Sequence, residues 1–150
     1  SDLRSSASFR IQETKDGTMH MIVREAAVSF LRYDYPLVNP LTLWKGIPIA
    51  SMEDIALMKL GAVIGRGARK DFIDLYAITR EYSLPRLLAA ARNKFPDSRD
   101  FALQALKALV YFDDAENEPL PRLLKPISWP AIVRFFESEV PKVARDLLGR

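Results

Sequence analysis

The chain has 150 residues, of which 49% are apolar and 27% are charged, a composition that suits one soluble domain with its own core. It has no cysteine and one histidine, which excludes a disulfide framework, a thiolate metal site and a multi-histidine metal site. The net charge of +3 tolerates a phosphate-bearing ligand without requiring a nucleic acid. Without a signal-peptide pattern or an apolar run of about 18 residues, we expect a cytoplasmic protein that does not span a membrane.

The N-terminal part of the chain predicts strands. Residues 1–17 are interpreted as a flexible leader, in which Phe9–Gln12 could form a short strand. Alternating apolar residues then predict two antiparallel strands, about Thr18–Arg24 and Ala27–Tyr33. We expect a single domain over 18–150, and His20 is interpreted as a surface residue of the first predicted strand.

A segment rich in proline and aromatic residues follows the predicted strands. It extends from Tyr33 to Pro48 and is predicted to be an extended linker. Leu43 and Trp44 are expected to pack onto the body of the protein. This linker completes the strand-and-linker part, 18–48, and the helical part is predicted to occupy 49–150.

The stretch from Ser51 to Tyr82 has the pattern of a long helix. Ser51 can cap its N-terminus, and Glu53 and Asp54 place negative charge at the positive end of the helix dipole. Apolar residues recur at helical spacing along the whole stretch. Gly67, the second of two glycines near the middle, marks a point where the backbone could bend or another group could approach closely.

Four charged residues share one face if this helix is unbroken. At about 100° per residue, Arg66, Lys70 and Asp74 return to within about 60° of the direction of Lys59. Asp71 points about 120° away from Lys59, so this spacing favours Asp74 as the carboxylate of the face. The face could simply be solvated, with a Lys70–Asp74 pair. Because apolar residues flank it on several sides, a partnered or ligand-binding face is the alternative.

The rest of the chain predicts further helices. The predicted helices cover 83–93, about 98–111 and 128–148, with a kink or restart at Pro141. Between the last two lies a predicted loop, 112–126, whose acidic residues most simply solvate it. A metal role for Asp113 or Asp114 is the alternative. The predicted fold is therefore α+β, with a small antiparallel sheet of two to three strands followed by about five helices.

The run DIALMKLGAVIGRGARKDFIDLY, residues 54–76, resembles the signature of the AbiEii/AbiGii family of nucleotidyltransferase-like toxins. The shared pattern is a lysine, a small-residue turn with Arg-Gly, and then Lys-Asp-Phe-x-Asp-Leu. Weaker similarities lie in VSFLRYDYPLV, 28–38, and ALVYFDDAENEPLPRLL, 108–124. The resemblance extends from about Thr18 to the C-terminus and implies a remnant of a nucleotidyltransferase-like fold with a C-terminal helical region.

The resemblance implies roles for the charged residues of the central stretch. Lys59 and Lys70 would contact the phosphates of a nucleoside triphosphate, and Arg66 could make a bidentate phosphate contact. Asp74, together with Asp71, would orient a lysine or lie near a metal. The implied catalytic set is therefore Lys59, Asp74 and Asp71, and the implied phosphate-binding set is Arg66 and Lys70.

Parts of the family pattern are missing from this sequence. Family members carry a Gly-Ser or Gly-Gly turn and an Asp-x-Asp pair that holds Mg²⁺ on the triphosphate, and neither motif occurs here. Ser29 stands where related enzymes can have a third carboxylate. We therefore expect a catalytically incomplete fragment or degenerate relative, with no metal ligand, weak triphosphate binding and no transferase activity by itself.

The family resemblance also implies partners, and two other functions compete with it. A full-length parent would use Mg²⁺ and a nucleoside triphosphate, and an antitoxin encoded in the same operon would neutralise it. The first competing function is a non-enzymatic helical module that forms a homodimer through the surface left by the missing N-terminal part. The second is a nucleic-acid binder that uses the basic helix, but the sequence shows no helix-turn-helix signature.

Overall fold

The computed structural model describes residues 9–149, apart from the side chain of Leu148. The predicted flexible leader therefore lies largely outside the described residues. By its internal contacts the chain divides into two compact units, the first ending at Tyr35 and the second beginning at Pro36. The predicted domain limits stay predictions.

The first unit is a three-stranded antiparallel sheet in the order β1-β2-β3. Its strands are β1 (Phe9–Lys15), β2 (Thr18–Val23) and β3 (Ala26–Leu31). The turn between β2 and β3 is formed by Arg24 and Glu25, which both have positive φ values of 47° and 73°. The two predicted strands are present. β2 ends one residue earlier than predicted because this glycine-free turn takes a left-handed backbone, and β3 begins one residue and ends two residues earlier than predicted.

The second unit begins with a two-stranded hairpin and continues as helices. The hairpin consists of β4 (Thr42–Trp44) and β5 (Ile47–Ile49). The helices are α1 (Met52–Arg66), α2 (Arg69–Thr79), α3 (Leu84–Lys94), α4 (Phe101–Ala108), α5 (Asp113–Glu116) and α6 (Trp129–Leu148).

The β4–β5 hairpin corrects the prediction of an extended linker. Lys45 and Gly46 form its two-residue turn with φ values of 50° and 79°, the left-handed geometry that matches the twist of paired strands. Leu43 and Trp44 were predicted to pack onto the body of the protein, but both are exposed. Lys45 lies over the Trp44 ring, with its Nζ 4.8 Å from the ring centroid.

The stretch from Ser51 to Tyr82 is not one unbroken helix, and the chain bends at Gly67, the glycine that the sequence marked as a possible bend. α1 ends at Arg66, and Gly67 caps it with a left-handed backbone, donating its N–H to the Val63 carbonyl. α2 begins two residues later, at Arg69. Ser51 is the N-cap of α1, as predicted, and its Oγ accepts a hydrogen bond from the Asp54 N–H.

The core of the second unit is formed by the buried sides of the helices. Phe72 of α2 is fully buried, and its ring contacts Phe112, Trp129 and Phe136. The same core contains the fully buried aliphatic residues Leu57, Leu60, Leu75, Leu84, Leu87, Leu109 and Ile132. Since α1 and α2 both contribute to this core, their relative position is fixed by packing.

Three predictions for the later helices need correction. α4 begins at Phe101 and ends at Ala108, so it is shorter than predicted at both ends. The predicted loop 112–126 contains the short helix α5. Pro141 lies inside α6, which continues through it to Leu148 without restarting.

The predicted fold class is confirmed. The described residues form two small antiparallel sheets, of three and two strands, and five helices of at least eight residues together with the four-residue α5. None of the described helices combines the length and the apolar character that crossing a membrane requires.

The turn between α1 and α2 gives a direct test with a built-in control. Gly67 has φ 55°, so Gly67→Ala places a Cβ on a left-handed backbone and should lower the free energy of unfolding by about 1 kcal/mol. Gly65 lies within α1, where a Cβ would meet no other atom within 4 Å, and its φ is not left-handed. Gly65→Ala should therefore raise the free energy of unfolding by up to about 1 kcal/mol. Urea unfolding measures both, and equal effects of the two substitutions would contradict this description of the turn.

Candidate functional site

The turn at Gly67 brings charged residues of α1 and α2 together. In an unbroken helix, Lys59 and Asp74 would lie about 22 Å apart along the axis. Because the chain changes direction at Gly67, α2 packs on α1, and the Lys59 Nζ lies 2.6 Å from the Asp74 Oδ2. The predicted proximity of Lys59 and Asp74 is therefore found, but the cause is the break in the helix and not a shared helical face.

Asp71 is the central carboxylate of this cluster, and its side chain is 0% exposed. Its Oδ2 accepts a hydrogen bond of 2.7 Å from the Arg66 Nε, and its Oδ1 accepts one of 3.0 Å from the Arg66 Nη2. The same Oδ1 accepts a third hydrogen bond, of 3.1 Å, from the Lys59 Nζ. The expectation that Asp71 points away from Lys59 is wrong, because it assumed an unbroken helix.

Lys59 is held between two carboxylates of unequal exposure. Its side chain is 18% exposed, and it contacts both the buried Asp71 and the Asp74 side chain, which is 49% exposed. Burial lowers the pKa of Lys59, but the hydrogen bonds to Asp74 and Asp71 outweigh it and raise the pKa above its usual value. Lys59 therefore remains an ammonium ion at neutral pH and is unsuited to act as a general base.

Burial alone raises the pKa of Asp71, but the hydrogen bonds from Arg66 and Lys59 outweigh it and hold the pKa below its usual value. The pKa of Arg66 is raised by its hydrogen bond to Asp71. Asp71 thus stays ionised, and the ionic contact fixes both cations.

The other predicted phosphate-binding residues differ in their environment. The Arg66 side chain is 56% exposed, so part of its guanidinium is accessible to solvent although Nε and Nη2 bind Asp71. Lys70 is exposed, and the structure does not bring it into the Asp71 cluster. Lys59, Arg66, Asp71 and Asp74 therefore form one continuous charged group, with Lys70 beside Asp71 in the chain.

A second charged cluster, which sequence reasoning missed, lies at the start of α1. The Lys94 Nζ lies 2.9 Å from the Asp54 Oδ1, and both side chains are 1% exposed. The same ammonium donates a hydrogen bond of 3.0 Å to the Pro36 carbonyl. No sequence signal pointed to this pair, because Lys94 follows Arg92 and Asn93 in the last turn of α3, where a cation normally complements the helix dipole.

Asp54 is also the acceptor for the segment that precedes the hairpin. Its two carboxylate oxygens accept hydrogen bonds from the Val38 and Asn39 N–H groups and from the Ser51 Oγ. Burial raises the pKa of Asp54, but the bonds from Lys94, Val38 and Ser51 outweigh it, and the pKa falls to about 2. We interpret this cluster as structural, since the buried carboxylate already has donors on both oxygens.

Arg69, at the start of α2, binds the acidic segment that contains Asp113 and Asp114. These are the two residues for which the sequence left a metal role as an alternative. Its Nε donates to the Ala115 carbonyl and its Nη2 to the Glu116 carbonyl, at the C-terminal end of α5. The Glu118 carboxylate accepts a hydrogen bond from the Arg69 N–H, which is otherwise unpaired at the helix N-terminus. Within residues 9–149, no three histidine, cysteine, aspartate or glutamate side chains are placed to hold a metal ion together.

A concavity of about 380 Å³ also lies in the second unit, away from the charged residues of the α1–α2 turn. Its lining comes from α3, α4 and α6 and includes Leu88, Ala102, Val143 and Leu147, with Arg92 and Asp146 among the polar groups. None of the five predicted site residues contributes to it. The charged cluster on α1 and α2 is therefore a separate feature of the surface.

The described residues combine an α+β fold with a Lys-Arg-Asp cluster at the turn between α1 and α2. Residues 24–148 match the family model described as nucleotidyl transferase AbiEii toxin of a type IV toxin–antitoxin system. This match covers most of the chain, which therefore belongs to the AbiEii family, and the predicted family is confirmed.

The chain is also similar to a curated protein from a bacterium. It is 35% identical over 134 residues to the uncharacterized protein aq_aa25 of Aquifex aeolicus (strain VF5). The alignment covers 87% of this chain and 63% of the relative, so the chain spans less than two thirds of that protein's length. No solved structure matches the chain.

The two carboxylates of this cluster, Asp71 and Asp74, do not fit the Mg²⁺ that the family implies. Asp71 is fully buried and already bound by Arg66 and Lys59, and Asp74 contacts the Lys59 ammonium. A divalent ion needs carboxylate oxygens that are free of cations, and several of them around one point. A contact between this cluster and a phosphate would therefore be made by Lys59 and Arg66 themselves and not through a bound metal ion.

Proposed function

We propose that this chain provides the phosphate-contacting part of a nucleotidyltransferase, with Lys59 as the residue that meets a nucleoside triphosphate. The observation that carries the proposal is the ammonium of Lys59, fixed by the fully buried Asp71. A lysine positioned by a buried carboxylate has a defined location and a permanent charge, which the stabilisation of a phosphate requires.

Arg66 and Lys70 extend the proposed phosphate contact. Arg66 is oriented by two hydrogen bonds to Asp71, and its exposed edge can donate to a phosphate oxygen. Lys70 is exposed and adds a cation of greater freedom. With two or three charge-assisted contacts of about 1.5–3 kcal/mol each, offset by the cost of association, the expected Kd is about 1 mM.

Thermal unfolding with each of ATP, GTP, CTP and UTP tests this proposal. At about five times the Kd, a bound triphosphate should add about 1 kcal/mol and raise the melting temperature by about 3 °C. Lys59→Ala should abolish the rise, whereas Lys107→Ala, which removes an exposed lysine of α4, should leave it unchanged. Equal responses of the two variants would contradict the role of Lys59.

We also propose that residues 1–150 alone do not transfer nucleotides, because the sequence contains no Asp-x-Asp pair. Incubation with labelled nucleoside triphosphates, Mg²⁺ and tRNA or protein acceptors should give no more label transfer than Lys59→Ala. Transfer above that variant would overturn this part of the proposal.

Membership of a toxin–antitoxin family supports a biological role for a longer protein that contains this chain. We propose that such a protein is the toxin of a type IV pair and that an antitoxin from the same operon neutralises it. Expression of the longer protein should slow bacterial growth, Lys59→Ala should relieve the effect, and co-expression of the adjacent gene should do the same. Undiminished toxicity of the Lys59→Ala protein would argue against the site.

The exposed hairpin supports a second candidate function, self-association. Leu43, Trp44 and Ile47 are all exposed, and a hairpin of two strands is marginally stable without a partner. Pro48 lacks an N–H donor on β5, which leaves β4 as the better edge for pairing with a second copy. Light scattering should show a dimer that Leu43→Lys disrupts, with Leu103→Lys on the exposed side of α4 as the control. A monomeric wild-type protein would rule this function out.

A further inference from the structure

The two carboxylates on the Lys59 ammonium are not equivalent. Asp71 is 0% exposed and is held by Arg66 as well, whereas Asp74 is 49% exposed and contacts Lys59 through one oxygen at 2.6 Å. If Asp71 left its place, it would leave a void in the interior and the charges of Lys59 and Arg66 without their buried partner. Asp74 can turn into solvent at little cost, because solvent screens the attraction within a half-exposed ion pair.

We infer that the Asp74 carboxylate occupies the place on Lys59 that a phosphate oxygen takes when a triphosphate binds. This inference rests on the proposed function. Asp74 is then a competitor for the ligand and not a contributor to its binding. Asp71 keeps the ammonium in position while the exposed partner is exchanged for phosphate.

The charges of the cluster explain why such an exchange is favourable only for a strongly anionic ligand. Lys59 and Arg66 carry two positive charges, and Asp71 and Asp74 carry two negative charges, so the cluster is neutral before the ligand arrives. When Asp74 turns away, the ammonium has one free direction toward the solvent-accessible side. A triphosphate presents several negative oxygens to that direction, whereas a neutral nucleoside presents none.

The exchange also predicts selectivity within the nucleotide class. To displace Asp74, a ligand must interact with Lys59 more strongly than Asp74 does. Each additional phosphate adds negative charge to the ligand and so strengthens its attraction to Lys59. Binding should therefore weaken in the order triphosphate, diphosphate, monophosphate. The base should matter less, because this contact reaches the phosphate chain alone.

Asp74→Asn separates a competitor from a contributor. The amide keeps the shape of the side chain but removes its charge, so we expect ATP to bind about three- to tenfold more tightly than to the wild-type protein at low salt. Asp74→Ala, which also favours the helix, should show the same gain. Asp97→Asn removes an exposed charge from the turn before α4 and should give no comparable gain. Isothermal titration of the 150-residue protein with ATP, ADP and AMP measures all of these affinities.

The outcomes are distinguishable from those of the proposed function. If both Asp74 variants bind ATP more tightly and Lys59→Ala loses about tenfold or more, the inference is supported. If the Asp74 variants bind ATP no better than the wild type or less tightly, and Lys59→Ala still loses affinity, Asp74 is not a competitor although the site stands. If Lys59→Ala binds ATP as the wild type does, the proposed function fails and the inference fails with it.

Discussion

Lys94→Met should lower the free energy of unfolding by about 3 kcal/mol. The substitution removes the ammonium that contacts the buried Asp54 and the Pro36 carbonyl. Methionine fills much of the space but leaves a buried carboxylate without its cation. Urea unfolding at pH 7 measures the loss, and Lys107→Met, on the exposed side of α4, should change the stability by less than about 0.5 kcal/mol.

The pH dependence of this effect has a definite sign. The pKa of Asp54 is lowered to about 2 in the folded protein, so its contribution to stability, about 2 kcal/mol, is complete above the unfolded-state pKa of about 4. It is lost as the pH falls from about 4 through 2. The stability difference between the wild type and Lys94→Met should therefore narrow over that range. A difference that stays constant down to pH 2 would show that the ion pair is not its source.

Asp71→Ala should weaken triphosphate binding by about tenfold or more, although it makes the cluster more positive. The substitution removes the three hydrogen bonds that fix Lys59 and Arg66, so both cations lose their orientation. We also expect a loss of about 2 kcal/mol in the free energy of unfolding, because a buried hydrogen-bonded group disappears. Isothermal titration with ATP, performed at a temperature where the variant is folded, measures the affinity.

The direction of this effect discriminates between two physical explanations. If Asp71 only added negative charge to the site, its removal would tighten binding, as we expect for Asp74. If Asp71 positions the cations, its removal weakens binding. Opposite signs for Asp71→Ala and Asp74→Asn are therefore expected, and tighter binding by both variants would contradict the positioning role of Asp71.

The class of the fold could be predicted from the sequence because the local patterns are strong. The alternating residues of β2 and β3 predicted two strands, and Ser51 marked the start of α1. The hairpin at Lys45–Gly46 was missed because two three-residue strands give too short a pattern and contain a proline. The glycine-free turn at Arg24–Glu25 likewise gave no signal for where β2 ends.

The charged cluster was only partly predictable, and the reason lies in one residue. Helical spacing assumes a continuous axis, and the left-handed backbone of Gly67 breaks that axis between Lys59 and Asp71. The sequence drew attention to Gly67 and to the family motif but could not give the direction of α2. The resemblance therefore identified the residues, whereas tertiary packing decided that Asp71 is the buried member.

The Asp54–Lys94 pair shows a different limit of sequence reasoning. The two residues are far apart in the chain, and neither belongs to a local motif that links them. Asp54 has an evident local role in the first turn of α1, and this role is enough to explain its presence there. The sequence therefore gave no reason to expect a contact with a distant lysine. Only the packing of α3 against α1 brings Lys94 to this carboxylate, and no pattern within a single helix carries that information.

A residue-resolved NMR titration with ATP tests the central claim most directly, since it locates the bound phosphate on the protein. The account predicts that the largest chemical-shift changes fall on Lys59, Arg66, Lys70 and Asp74, saturate together, and disappear in Lys59→Ala. Changes that spread evenly over the surface, or that gather at residues outside α1 and α2, would contradict it.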